Sequence, residues 1–194
     1  MATVTTPATR LLTADEFCDF VHRPENRGRF FELERGVIVE MPPPNLPHGV
    51  VCAIIARILG NFTDAKKRGY VTSNDTGVVL ETDPDTVRGI DVLLFDEIAK
   101  YADLEPKYAR HMPTLAVEVL SPDARPGKTM RRVSQFLRQG IPLVWVVDPD
   151  SRDVTVYRPG REAYVLGLED ELSGEDVLPD FRCRVHDFFR LPGE

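Results

Sequence analysis

Apolar and polar positions alternate with several different periods along the chain, and each change of period marks an element. Thr13-Ala14-Asp15-Glu16 is a capping-box pattern that opens a short helix through about His22. Residues 30–41 (FFELERGVIVEM) hold two extended runs around Glu34-Arg35-Gly36 and predict a β-hairpin, which three prolines at 42–44 then stop. Between residues 47 and 67 the period lengthens. Val51, Ile54, Ile55, Ile58, Leu59 and Phe62 recur at i, i+3, i+4 and i+7, an amphipathic helix that Gly69 is placed to end. Residues 70–81, 89–96, 114–121, 142–147 and 154–157 read as strands, with a turn at Asp148-Pro149-Asp150-Ser151. Residues 128–139 form a second helix with Met130, Val133, Phe136 and Leu137 inward and Gly140 at its end. Residues 97–111 show no clear period.

Strands, a long helix, strands, a second helix and strands again describe an α/β or α+β fold with a mixed sheet. The expected organisation is a loose leader over residues 1–12 and one domain over 13–194. With 42% apolar and 28% charged residues, the chain is ordinary for a globular protein and too apolar for a disordered one. No basic segment followed by an apolar stretch opens it, and no apolar run approaches about 20 residues, so a cytoplasmic protein without membrane contact is expected. Cys18, Cys52 and Cys183 are far apart and read as reduced thiols.

The net charge of −7 excludes a protein that holds nucleic acid by bulk positive charge, although local contact stays open. Charge is unevenly spread. Residues 121–140 carry five bases against one acid, whereas residues 162–181 carry seven acids and no base.

Two carboxylates break the apolar logic of their own strands. Alternation puts Asp91 on the face of Leu93 and Phe95, and Glu118 on the face of Ala116 and Leu120. A carboxylate in a strand covered on both sides costs several kcal/mol unless it is paired, hydrogen-bonded or metal-bound. Such a pair could be solvated at strand ends, could pair with a base such as Arg88 or Arg132, or could share a hard divalent cation. No phosphate-binding glycine loop, dinucleotide fingerprint or nucleophile elbow is present, so no nucleotide cofactor is expected.

Four stretches carry a resemblance: F-E-L-E-R-G-V-I-V-E-M-P-P-P followed by His48, then R-G-I-D-V-L-L-F, L-A-V-E-V-L-S-P, and F-L-R-Q-G-I-P-L-V-W-V-V-D-P. In this order and spacing they resemble the putative restriction endonuclease family, a bacterial family of the PD-(D/E)XK nuclease superfamily. The resemblance runs from about Phe30 to Tyr157. It implies a restriction-endonuclease-like mixed sheet flanked by helices, with an N-terminal β-hairpin. It also implies a Mg²⁺- or Mn²⁺-dependent DNA endonuclease, plausible as a homodimer, in which metal-activated water attacks a phosphodiester.

Asp91 matches the superfamily's metal-binding aspartate, Glu118 the acid of its E-x-K strand, and Glu32 the family's hairpin glutamate. The backbone of Val119 would complete the metal set, and His48 would sit near phosphate or metal. Four positions depart from the pattern. Ile90 stands at the proline of the P-D pair and Leu120 at the E-x-K lysine. The family's relocated helix lysine aligns with Arg132, and the aspartate one turn before it with Lys128. Residues 128 and 132 lie at i and i+4, so both cations are candidates to face the scissile phosphate. A non-catalytic nucleic-acid-binding or protein-interaction module on the same fold is the alternative.

Overall fold

The chain turns on itself at Arg35 and Gly36, both with positive φ, to make a hairpin of β1 (Phe30–Glu34) and β2 (Val37–Met41). Gly36 is required there: its N–H donates to Asp85 O (2.7 Å), its carbonyl accepts from Leu12 N–H (2.9 Å), and an added Cβ would strike Leu11. The computed structural model describes residues 10–122, 124–191 and 193, so residues 1–9 of the expected leader lie outside the described residues. Helix α1 (Ala14–Val21) carries the complete Thr13–Glu16 capping box and lays Ala14 and Phe17 against Leu33 and Val87.

Strands β3 (Tyr70–Glu81), β4 (Thr86–Phe95), β5 (Leu115–Val119), β6 (Val144–Asp148), β7 (Asp153–Tyr157) and β8 (Tyr164–Leu166) join the hairpin in an eight-stranded sheet. The order is β2-β1-β4-β5-β6-β7-β8, with β3 also paired to β4. The pairing is antiparallel except between β5 and β6, the crossover bridged by α3 (Pro126–Arg138). This is the mixed, helix-flanked architecture implied by the motifs, and mainly antiparallel.

Each sheet face has its own helix. Val92, Leu94, Val117, Val119 and Trp145 pack on Val51, Ile55 and Leu59 of α2 (Leu46–Lys66). Leu93, Phe95, Ala116 and Val146 pack on Val133 and Phe136 of α3. By length and composition alone α2 would pass as a membrane span, but here its apolar stripe is spent on the sheet.

The structure corrects the sequence expectation in four places. Met130 is 45% exposed rather than inward, because Val133 and Phe136 already define the buried stripe of α3. That helix starts two residues early, at Pro126, whose fixed φ suits the first turn. Strand β4 starts at Thr86 rather than 89. The C-terminal segment, which gave no elements beyond β7, forms β8 and a small hairpin of β9 (Glu171–Ser173) and β10 (Arg182–Arg184). Phe181, Val185 and Phe188 cover Trp145 from there.

Candidate functional site

The register between β4 and β5 places the two conspicuous acids. These strands pair over Val92–Leu94 with Leu115–Val117 and then part, so Asp91 and Glu118 stand where the sheet opens. Asp91 Oδ2 accepts from Val119 N–H at 2.7 Å across the opening. Its Oδ1 lies 3.2 Å from Nε2 of His48, which sits on the first turn of α2. Asp91 is thus reached from the α2 side, although alternation predicted the face of Leu93 and Phe95. Ile90, its neighbour, packs with Leu93 rather than with Val92, so the alternation of β4 changes phase at this point. His48 is buried, and its bond to Asp91 holds the imidazole above its ordinary pKa. Behind it, Cys52 Sγ lies 3.5 Å from Nδ1, one helical turn on. Burial, reinforced by the nearby acids, pushes that thiol well up and keeps it protonated.

Glu118 points to the α3 side, as alternation predicts, and meets Arg132. Arg132 Nε donates to Glu118 Oε2 (2.7 Å), one terminal nitrogen donates to Glu32 Oε1 (2.6 Å), and the other donates to Gly89 O. Burial pulls the guanidinium pKa down, but the ion pairs with Glu118 and Glu32 outweigh it, so it remains a fixed cation. Glu32 projects from β1 opposite Phe31 and Leu33. It also accepts from Arg88 (2.9 Å) and from Gly89 N–H (3.2 Å). Arg88 is steadied in turn by Gln135 of α3 at 3.2 Å.

The other oxygen of Glu118 is buried without a hydrogen-bond partner among the described residues. Burial pushes this carboxyl up to about 8, Arg132 pulls against that, and Asp91 adds to it. Although Glu118 faces α3 and Asp91 faces α2, the two are close enough for the charge of Asp91 to be felt at Glu118, and a hard cation between such acids would lower the energy of both.

Sequence reasoning missed Asp75. In the middle of β3 the register slips between Ser73 and Thr76, and Asn74 and Asp75 both have positive φ (68° and 54°). This bulge turns Asp75 inward toward Asp91. Burial and the Asp91 charge push its pKa up to about 6. Gly89 on the facing strand makes the room, since a Cβ there would lie 3.0 Å from Asp75 O. The available signal was Asn74-Asp75, a turn-forming pair inside a strand pattern.

The structure therefore brings Glu32, His48, Asp91, Glu118, the Val119 backbone and Arg132 together, and adds Asp75 and Arg88. It does not bring Lys128. That residue is exposed on α3 and lines an adjoining groove instead. Among the described residues, His48, Cys52 and Asp91 place one ligand atom each within 4.8 Å of one another. His22 and His111 are exposed, and Asp148 caps its own turn by accepting from Asp150 N–H at 2.9 Å.

The profile of the family described as "Uma2: Putative restriction endonuclease" matches residues 15–186. A solved structure described as a putative nuclease belonging to DUF820, from Anabaena variabilis ATCC 29413, is similar with a TM-score of 0.75 and 20% identity. The match covers 92% of this chain and 97% of that one, and at this identity the likeness is one of fold. No curated protein matches the sequence.

Proposed function

From the premise that this chain belongs to the Uma2 family, described as putative restriction endonucleases, we propose that it is a Mg²⁺- or Mn²⁺-dependent endonuclease that hydrolyses DNA phosphodiesters. The observation that carries this is the buried, partnerless oxygen of Glu118, a carboxyl that feels the charge of Asp91, where β4 and β5 separate. The donor set is all oxygen: Asp91, Glu118 and the Val119 carbonyl would hold the ion, which suits a hard divalent cation. When bound, such an ion lowers the pKa of a water to make a nucleophile and offsets charge on the phosphate.

The chain's own residues do the rest. His48 and the Val119 N–H fix the Asp91 carboxylate from two sides. Arg132 fixes Glu118 through one oxygen and leaves the other free. Arg132 is therefore a positioning residue, anchored by Glu32, and its pKa bars it from acting as a general base near pH 7. The same reading places the enzyme in the cytoplasm and pairs two copies, since cutting both strands takes two sites.

One observation favours a second reading, a catalytically degenerate module that binds nucleic acid or protein. Arg132, which the resemblance aligns with the family's lysine, spends its donors on Glu118, Glu32 and Gly89. Incubation of supercoiled plasmid and of single- and double-stranded oligonucleotides with either metal separates the two. Cleavage by wild type that is lost in Asp91→Asn is the expected result. Retention of DNA without cleavage in either metal would favour the module.

A further inference from the structure

Next to the acid cluster, a groove of about 680 Å³ lies between the outer face of α3 and the tip of the β1–β2 hairpin. Arg88 and Arg132 form its inner wall, and both are consumed by carboxylates. Its other cations are different. Arg35, Lys128, Arg131 and Arg138 are all exposed, and no side-chain ion pair or hydrogen bond joins them to a described residue. Opposing them are Glu34 and Glu81, and Glu81 is occupied by Thr86 (3.1 Å).

Lys128, Arg131 and Arg138 are spaced i, i+3 and i+10, with Gln135 between them at i+7, so they form a stripe along one face of α3. Ten residues of helix span about 15 Å, close to the axial rise of four to five nucleotides of one strand. On a chain of net charge −7, a stripe of three exposed cations on α3, with Arg35 facing Glu81 at the hairpin tip, is a local reversal of sign.

We propose that this groove is a binding site for the phosphodiester backbone, holding the nucleotides that flank the phosphate presented to Asp91 and Glu118. Arg35, Lys128, Arg131 and Arg138 make the phosphate contacts, and Arg132, for all its charge, makes none. The nature of the ligand rests on the nuclease reading. An acidic peptide is the other polyanion such a stripe could take, but it has no reason to lie against the acid cluster.

The test is fluorescence anisotropy of a labelled 30-base-pair duplex and its single strand, in EDTA so that nothing is cut, at several salt concentrations. Lys128→Ala/Arg131→Ala/Arg138→Ala is compared with wild type and with Arg57→Ala, an exposed cation on α2 across the sheet. The triple variant should bind at least about tenfold more weakly near 0.1 M salt, with a salt slope shallower by about 2–3, and Arg57→Ala should match wild type. An unchanged slope in the triple variant, or an equal loss in Arg57→Ala, overturns the groove while leaving the nuclease reading in place. Competition by polyglutamate as effective as by duplex overturns the assignment to phosphodiesters. Failure of wild type to bind either strand form is the separate signature that the nuclease reading itself has failed.

Discussion

Arg132 joins three elements through one side chain, donating to Glu118 of β5, Glu32 of β1 and Gly89 of β4. Removing one partner of a buried ion pair leaves its carboxylates uncompensated, so Arg132→Ala should cost roughly 3–5 kcal/mol, read as a fall in denaturant midpoint. A titration follows from the same cluster. Glu118 and Asp75 are raised by burial, and His48 is raised by Asp91. Each group therefore binds its proton more tightly folded than unfolded. The stability this contributes is complete below the unfolded pKa values, near 4 for the acids, and is lost as pH rises through about 6 and then about 8. The metal-free protein should melt at least about 4 °C lower at pH 8 than at pH 5, given that 1 kcal/mol is worth about 2–4 °C at this size. In Glu118→Gln, with nothing left to titrate at that position, the slope should flatten markedly. A slope identical to wild type would contradict the assignment of that proton to Glu118.

At the scale of elements, the site depends on two irregularities in the sheet: the parting of β4 from β5 and the bulge of β3. Gly89 couples them, since its carbonyl holds Arg132 while its missing Cβ admits Asp75. Gly89→Ala should push the bulge back and destabilise by about 1–3 kcal/mol, as overpacking does, without touching either helix interface. Thermal melting with unchanged far-UV circular dichroism would show it. These irregularities also mark the limit of what the sequence made legible. Hairpin, helices and central strands follow from periodicity and capping: Thr13 and Glu16, the stripe of Val51, Ile55 and Leu59, and the alternation that aimed Glu118 at α3 all appear as expected. Periodicity assumes an unbroken strand. It could not show that β3 carries an extra residue at Asn74-Asp75, or that β4 changes phase at Asp91 and so meets His48. The C-terminal cover of Trp145 was illegible for another reason: its strands are three residues long, too short for any period to emerge.

Across the whole molecule, charge is sorted by function. The acids that would hold a cation stand where the sheet opens, Arg132 pairs with Glu118 and shares Glu32 with Arg88, and exposed bases of α3 with no ion pair to a described residue line the adjoining groove. The family match shows the kind of protein this is; the proposed nuclease activity, and its distinction from a binding module, go beyond that match. Both turn on whether Asp91 and Glu118 share a divalent cation. Calorimetric titration of Mn²⁺ into wild type, Asp91→Asn and Glu118→Gln answers this without any assumption about substrate. Wild type should bind one ion, and each variant should bind at least about tenfold more weakly, as removing a metal ligand predicts. Equal affinity in wild type and Glu118→Gln, or no binding in wild type at all, would contradict the metal centre.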